Sequence, residues 1–392
     1  MQNEAVFKEL LQFQSSGATL ACTEDNLWFN ENPNYANFVA ALQEGVRNKN
    51  VRGTILIATD KEIIWASGSR SVDVNGDIVT PLTTYEIGSL AKMYTASIVF
   101  QLIDEGKLSL TDRLTKFFPA YLKANAITIF DLLHMRSGII DFANDCETFF
   151  QNEKALVDAF DNGEITDDVF LEHLFALDLI FEPGSKKEYS NTNYVLLAMI
   201  IEQITGKRYQ ENVQERVFAP LGMAHSSSTT FGDVTSVPEG KAGYMKEYQI
   251  ARGAGDLHSN VLDLLKFNRA FFQEKIVSHE AKTAMLDFVD GYGCGWKVSD
   301  EIADTVLHYG GTNAYCSMNV VLHASDSKRR CYLFMLSCRE EAQEHEHREE
   351  RPGESAETDH EAAQGNNEAE AFDSYQFVID LSVKYLNTGD SY

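Results

Sequence analysis

The order of strand-like and helical patterns along this chain is the feature that most constrains its fold. Two short apolar runs, at residues 54–59 and 62–66, are joined by a polar pair and predict a β-hairpin. Helical periodicity then dominates from Ser89 to about Lys275. Strands at both ends of a helical middle predict an α+β fold, with a sheet domain built from the two ends of the chain and a mostly helical domain inserted. The late strand patterns lie at residues 305–309, 316–323 and 330–338.

The two ends of the chain carry further helical patterns. Residues 1–35 predict an N-terminal extension, in which a short helix with Phe7, Leu10 and Leu11 on one side precedes a polar stretch. An amphipathic helix is predicted at residues 37–47, and another at 372–386 closes the chain. We expect the extension to pack on the main body of the protein.

One segment, residues 339–371, differs in kind from the rest. It is rich in Glu, Gln, His, Asn and Gly with almost no large apolar residue, so it cannot bury enough surface to offset the entropy lost on ordering. We expect an acidic, disordered insert within a main domain made of residues 36–338 and 372–392. Its three histidines could bind a transition metal loosely, but the surrounding carboxylates favour a solvated spacer, and no metal site is assigned.

The composition argues against several classes of partner. The 392-residue chain has a formal net charge of −26, which disfavours binding to nucleic acid or to anionic membranes, since both require a positive surface. No stretch approaches the roughly 20 apolar residues of a membrane span, and residues 1–20 do not resemble a secretory leader. We therefore expect a cytoplasmic protein with no membrane or nucleic-acid partner; the sequence does not indicate its oligomeric state.

Ser89 and Lys92 form an S-x-x-K pair at a predicted helix start. Residues three apart on a helix share a face, so the lysine amine can take the serine proton if burial or nearby positive charge lowers the pKa of the amine. Free N–H groups at a helix start also favour negative charge on an attacked carbonyl. By itself the pair is a weak signal, because a second copy, Ser325 with Lys328, lies in a polar stretch that predicts a hairpin turn.

A second motif, Y-x-N, is formed by Tyr189 and Asn191. The phenol could relay a proton beside Lys92, and the amide could bind a substrate carbonyl. The same pattern occurs at two other places in the chain, beginning at Tyr35 and Tyr385. Taken alone, the motif is therefore more often structural, with a tyrosine packed in the core and an asparagine that caps a helix.

A third motif, H-x-G, is formed by His308 and Gly310 and occurs once in the chain. Glycines at a strand edge allow close backbone approach, and the N–H of Gly311 could pair with that of Ser89 as an oxyanion hole. The structural alternative is a strand end, with a packed histidine before a turn.

Together, in the order S-x-x-K, Y-x-N and H-x-G, these motifs resemble the serine β-lactamase and penicillin-binding-protein superfamily. The variant here is most similar to its class C β-lactamase, DD-peptidase and esterase branch, in which a histidine often replaces the third lysine. The resemblance covers about residues 38–338 and the final helix. Other segments that resemble this branch are residues 108–112, 132–138, 220–223 and 292–296.

The resemblance implies an antiparallel sheet flanked by N- and C-terminal helices, a mostly helical inserted domain, and no cofactor or metal. It implies a serine nucleophile, a lysine and a tyrosine that exchange its proton, an asparagine that binds the substrate amide, and backbone N–H groups that stabilise the oxyanion. The implied catalytic residues are Ser89, Lys92 and Tyr189, and the implied substrate and oxyanion residues are Asn191, His308, Gly310 and Gly311, with Ser89 also contributing its N–H. The chain departs from the usual pattern at Met135, Arg136 and Asp256, which affects the shape of the pocket more than its chemistry.

The expected function is that of a serine hydrolase acting on an amide or ester through a covalent acyl-serine intermediate. The substrate is expected to be a small-molecule or peptide-like acyl compound, of the type used by an esterase, a D-amino-acid amidase or a DD-peptidase. A histidine at position 308 supplies less fixed charge than lysine and weakly favours esters or neutral amides. The alternative is a catalytically silent relative that binds a peptide-like ligand or partner. An α/β-hydrolase is disfavoured, because the chain has no G-x-S-x-G elbow.

Overall fold

The structure, a computed structural model, describes residues 2–15, 19–23, 26–49, 53–68, 78–228, 249–311, 315–338 and 376–385. The strands in these ranges are β1 Leu20–Cys22, β2 Leu27–Asn30, β3 Thr54–Thr59, β4 Ile63–Ser67, β5 Tyr85–Glu86, β6 His258–Ser259, β7 Lys297–Val298, β8 Thr305–Gly311, β9 Tyr315–Leu322 and β10 Cys331–Cys338. The helices are α1 Gln2–Leu11, α2 Ala36–Lys49, α3 Ala91–Asp104, α4 Ile129–Leu133, α5 Cys146–Phe149, α6 Lys154–Asp161, α7 Asp167–Ala176, α8 Asn191–Thr205, α9 Tyr209–Val213, α10 Ala219–Leu221, α11 Val261–Phe272, α12 His279–Met285 and α13 at 376–385.

Eight of these strands form one antiparallel sheet in the order β1-β2-β4-β3-β10-β9-β8-β7. The predicted hairpin is confirmed as β3 and β4, and the three predicted late strands are confirmed as β8, β9 and β10. Pairing of β3 with β10, for example Ile57 opposite Leu333, joins the two ends of the chain at the centre of the sheet. The second S-x-x-K pair lies in the turn between β9 and β10, as predicted.

Both faces of the sheet are covered, which explains why its central strands are apolar at nearly every position. On one face, Leu56 and Phe334 pack with the helical region. On the other face, Ile57 and Leu333 pack with α2 and α13. The flanking N- and C-terminal helices and the inserted helical region are therefore those of the predicted α+β architecture.

The N-terminal residues differ from the prediction in two details. Residues 20–30, predicted as a polar stretch, supply strands β1 and β2, because Leu27 and Trp28 point to opposite faces and enter the two cores. Helix α1 buries Leu10, but Leu11 is 41% exposed and does not share the apolar side with it. Strands of three and four residues give too short an alternation of apolar and polar residues to stand out among polar neighbours.

Helices α3 and α8 form the centre of the helical region, and both are buried around most of their circumference. Their N-terminal ends lie beside β8, so the sheet and the helical region meet where the three motifs are located. The acidic insert predicted at 339–371 lies outside the described residues. In the part of the chain that the structure covers, no helix is both long and apolar enough to cross a bilayer.

The contact between α2 and the outer face of the sheet can be tested with Leu42→Ala. Leu42 is fully buried there, so truncation should lower the free energy of unfolding by about 2–5 kcal/mol. The matched control is Leu122→Ala, since Leu122 is 90% exposed and should change stability by less than about 0.5 kcal/mol. Urea denaturation measures both; equal effects would contradict the described packing.

Candidate active site

Ser89 lies in a single 3-10 turn, Gly88–Leu90, that leads directly into α3. Lys92 is in the first turn of that helix, and its Nζ donates a hydrogen bond to Ser89 Oγ at 2.9 Å. Gly88 has a φ of +47°, and a Cβ there would lie 2.6 Å from the hydroxyl oxygen of Tyr315. The turn is therefore tight, and it requires glycine at position 88.

The Y-x-N motif reaches the same place from the start of α8. The hydroxyl oxygen of Tyr189 lies 2.7 Å from Ser89 Oγ, and Asn191 Oδ1 accepts a hydrogen bond from Lys92 Nζ at 2.7 Å. Residues about 100 positions apart in the sequence are thus brought into one hydrogen-bonded group. The structure thus brings together all four residues predicted from the first two motifs.

The segment that carries Tyr189 is held by Met135, one of the departures from the family pattern. Met135 has a φ of +59°, and its carbonyl accepts the backbone N–H of Glu188 at 2.9 Å. Its thioether sulfur accepts the N–H of Ser190 at 3.5 Å. Met135 is fully buried, so it shapes the wall behind Tyr189 without lining the cleft opening.

The Lys92 amine is fully buried and has three hydrogen-bond acceptors. Besides Ser89 and Asn191, the third is the carbonyl oxygen of Ala254 at 2.7 Å. Burial lowers the pKa of Lys92 to about 7, and two nearby charges act in opposite directions: the carboxylate of Asp141 raises this pKa and the ammonium of Lys297 lowers it. Near neutral pH both protonation states of Lys92 are therefore populated.

The acceptor set also fixes the orientation of the neutral amine. A neutral lysine amine has two N–H groups and one lone pair. Two of its neighbours, Asn191 Oδ1 and the carbonyl oxygen of Ala254, can only accept hydrogen bonds. When both N–H groups remain on these two oxygens, the lone pair faces Ser89 Oγ. This is the geometry in which an amine can accept the hydroxyl proton.

Asp141 is a part of the site that the sequence analysis missed. It is buried, and its two carboxylate oxygens accept from Asn191 Nδ2 at 3.2 and 2.9 Å. Because only the NH₂ side of the amide can donate to a carboxylate, Asp141 turns Asn191 Oδ1 towards Lys92. Asp141 follows the family-like segment 132–138 by three residues, but no spacing rule connects it with the Y-x-N motif.

The Ala254 carbonyl belongs to a turn shaped by Asp256, another departure from the family pattern. Asp256 Oδ1 accepts the backbone N–H of Gly253 at 2.8 Å. Burial raises the pKa of Asp256 to about 7. Thr95 Oγ1 donates to the Gly253 carbonyl at 2.7 Å, which ties the turn to α3.

His308 lies on β8 and is almost fully buried. Its Nδ1 lies 2.8 Å from the carbonyl oxygen of Tyr309, which can only accept, so Nδ1 carries the proton. Its Nε2 then accepts from the hydroxyl of Tyr292 at 3.2 Å. Burial, together with the ammonium groups of Lys297 and Lys92, lowers the pKa of His308 well below its usual value. His308 is a neutral group near pH 7, and its described hydrogen bonds go to these two tyrosines.

Strand β8 approaches the Ser89 turn through Gly310. A Cβ at Gly310 would lie 2.5 Å from Ser89 N and 2.8 Å from the Ile87 carbonyl oxygen, so only glycine allows this approach. Ser317 on β9 strengthens the contact, because its hydroxyl donates to the same Ile87 carbonyl at 2.7 Å. Gly311, the last residue of β8, pairs with Cys316. Both predicted glycines thus lie at the strand end next to the serine.

Comparison of the sequence with protein-family models assigns this chain to a family. A family model described as Beta-lactamase matches residues 38–351, which is most of the chain. The chain belongs to the beta-lactamase family. This agrees with the superfamily that the combined motifs resemble.

Individual relatives agree with this assignment. PbpX of Bacillus subtilis (strain 168), which is named as a penicillin-binding protein, is 27% identical over 261 residues. The match covers 63% of this beta-lactamase-family chain and 62% of PbpX, so the chain spans less than two thirds of that relative's length.

Solved structures show the same fold. The D-amino acid amidase of Ochrobactrum anthropi SV3, in complex with L-phenylalanine, superposes with a TM-score of 0.63 at 25% identity and covers 77% of this chain and 91% of the amidase. A penicillin-binding protein from Bacillus halodurans gives a TM-score of 0.61 at 21% identity, covering 76% and 94% of the two chains. The predicted β-lactamase-like α+β fold is confirmed.

Replacing Asp141 with Asn separates its charge from its geometry. Asn keeps an oxygen that can accept from Asn191 but removes the negative charge that favours the Lys92 ammonium, so the pKa of Lys92 should fall below about 7. NMR titration of ¹⁵N-lysine side chains, with Lys92 assigned by substitution, measures this. The control Asp158→Asn, at an exposed position on α6, should leave the Lys92 pKa unchanged. A rise of this pKa in Asp141→Asn would contradict the described electrostatics.

Proposed function

We propose that this protein hydrolyses an amide or ester bond through a covalent acyl intermediate on Ser89. The observation that carries the proposal is that Ser89 Oγ lies within hydrogen-bond distance of both Lys92 Nζ, at 2.9 Å, and the Tyr189 hydroxyl, at 2.7 Å. A serine hydroxyl becomes an effective nucleophile only when a base takes its proton. Here two such groups flank one hydroxyl at the start of a helix.

Acylation proceeds by attack of Ser89 Oγ on the substrate carbonyl carbon while its proton passes to Lys92 or Tyr189. The negative charge that develops on the carbonyl oxygen is stabilised by the backbone N–H groups of Ser89 and Gly311, each worth about 3–4 kcal/mol in barrier lowering. The proton then moves to the leaving alcohol or amine as its bond to the carbonyl carbon breaks. Water attacks the resulting ester and regenerates Ser89.

Lys92 and Tyr189 act as a coupled pair in this scheme. The Lys92 Nζ lies 4.9 Å from the centre of the Tyr189 ring, and both groups contact the same serine oxygen. A proton placed on one of them changes the affinity of the other, so the titration belongs to the pair. Either residue can be the first base, and the other returns the proton to the leaving group.

The substrate of the proposed reaction is a small-molecule or peptide-like acyl compound. One structural neighbour is a D-amino acid amidase and one relative is named as a penicillin-binding protein. The motifs also resemble a branch that contains esterases, so esterase, D-amino-acid amidase and DD-peptidase activities are the candidates. A hydrolysis screen across short acyl esters, D-amino-acid amides and β-lactams distinguishes them, since each class differs in leaving group and in the substituents around the carbonyl. The nucleophile itself is tested separately, by covalent labelling.

Incubation with a fluorophosphonate, followed by intact mass measurement, should give one adduct, located on Ser89 by peptide mapping. Lys92→Ala should slow this labelling by at least about a hundredfold, the usual scale for losing a general base. Lys328→Ala, in the second S-x-x-K pair, is the matched control and should label at the normal rate. No adduct on the unchanged protein would instead support a catalytically silent binding protein, and unchanged labelling of Lys92→Ala would remove Lys92 from the mechanism.

The pH dependence of hydrolysis should reflect the lowered pKa of Lys92. With Lys92 as the first base, its neutral amine is the reactive form, so kcat/KM for an uncharged ester should be low in acid and rise with pH through a limb near pH 7, where the pKa of Lys92 lies. An ordinary lysine would place this limb near pH 10.4. Measurement of kcat/KM between about pH 5 and pH 9 tests this role of Lys92. A kcat/KM that does not change with pH across this range would contradict Lys92 as the first base.

A further inference from the structure

Lys297 is brought to the cleft by the turn that precedes it. The turn begins at Tyr292, which pairs with Lys297 across an isolated bridge. Within it, Gly295 has a φ of +74°, and a Cβ there would lie 2.7 Å from the Lys92 carbonyl oxygen. The turn therefore packs directly on the helix that carries the serine and lysine pair. Lys297 then enters β7, where it pairs with Leu307 on the strand of the H-x-G motif.

The Lys297 side chain lies against the two tyrosines that border the site. Its Nζ is 3.8 Å from the centre of the Tyr309 ring and 5.6 Å from that of Tyr189. The buried Lys92 amine lies 4.9 Å from the same Tyr189 ring. Two ammonium groups thus contact one ring, but Lys297 is only half-buried and Tyr309 is 38% exposed. Of the two lysines near the Tyr189 ring, Lys297 is therefore the one that is partly accessible to solvent.

Nothing in the described part of the chain neutralises this charge. Lys297 has no ion pair and no hydrogen-bond partner among the described residues, and its contacts there are with aromatic rings. The chain as a whole has 59 acidic and 33 basic side chains apart from histidine, so an unpaired lysine is not a consequence of scarce carboxylates. Its charge opposes protonation of both Lys92 and His308. A cation that has no partner among the described residues is available to an anion from outside.

His308 cannot supply this charge itself. It stands where the related motif has lysine, but it is neutral near pH 7, and its two ring nitrogens are occupied by the Tyr309 carbonyl and the Tyr292 hydroxyl. A fixed positive charge beside β8 comes instead from the neighbouring strand, through Lys297.

We propose that Lys297 binds an anionic group of the substrate, so that the preferred substrate is an acyl compound with a carboxylate near the bond that is cleaved. An ammonium held against two rings forms a charge-assisted hydrogen bond with a carboxylate at the cleft opening. This inference rests on the proposed hydrolase function. It keeps an amide or ester as the cleaved bond but adds a carboxylate, which the histidine at position 308 alone did not favour. It makes Lys297 a specificity-determining residue, distinct from the groups that exchange the serine proton.

The test uses pairs of chromogenic esters that differ only in one substituent, a carboxylate or the neutral carboxamide. One pair has this substituent on the acyl side of the cleaved bond and a second pair has it on the leaving-group side, so the results show which side faces Lys297. In at least one pair, the unchanged protein should have a kcat/KM at least tenfold higher for the carboxylate. Lys297→Met should reduce this ratio at least tenfold, mainly through KM, and Lys297→Arg should retain most of it. Lys328→Met is the control and should leave the ratio unchanged.

Binding measurements keep this proposal separate from the hydrolase proposal. In the Ser89→Ala background, calorimetry should show tighter binding of the carboxylate compound than of its carboxamide partner, and the difference should disappear with Lys297→Met. Equal affinities, or a preference that survives Lys297→Met, would overturn the role of Lys297 even if Ser89 is labelled normally. Conversely, the protein could bind the carboxylate compound more tightly in a Lys297-dependent way without any labelling of Ser89. That result would support the anion site and refute the hydrolase function.

Discussion

The burial of one lysine amine is the constraint on which the rest of the site depends. Lys92 is completely enclosed, and an ammonium in such a place is costly unless its hydrogen bonds are satisfied. Three separate segments meet this need: the serine turn, the start of α8 with Asn191, and the turn that carries Ala254. Enclosure by the two packed central helices lowers the pKa of the amine, and the acceptors fix its direction. The packing that lowers the pKa of the Lys92 amine therefore also supplies the hydrogen-bond acceptors that orient it.

Two nearby charged side chains shift the pKa of Lys92 in opposite directions. Asp141 favours the protonated amine and also fixes the amide of Asn191. Lys297 opposes protonation from across the Tyr189 ring. An anion bound to Lys297 would weaken this opposition and so favour the protonated form of Lys92. The site thus combines a fully buried lysine amine with a half-buried one, and both lie near the Tyr189 ring.

Local pattern predicted much of the fold, because alternation and helical periodicity are properties of neighbouring residues. The hairpin of β3 and β4 and the three late strands are confirmed by the structure. The two short N-terminal strands were missed, since the apolar signal of residues 27–30 is too brief to separate from its polar surroundings. Which face Leu11 presents was also predicted wrongly, because neighbouring helical residues point about 100° apart.

The sequence by itself determined the family and which serine, lysine, tyrosine and asparagine form the polar group around Ser89, since each motif is a short run with fixed spacing. Only the tertiary structure decided that Asp141 orients Asn191, that His308 is neutral and that Lys297 lies against two tyrosine rings of the site. Those properties depend on burial and on contacts between segments far apart in the chain. The spacing of residues within one segment carries no information about burial or about these contacts, because both arise only when the sheet packs against the helices.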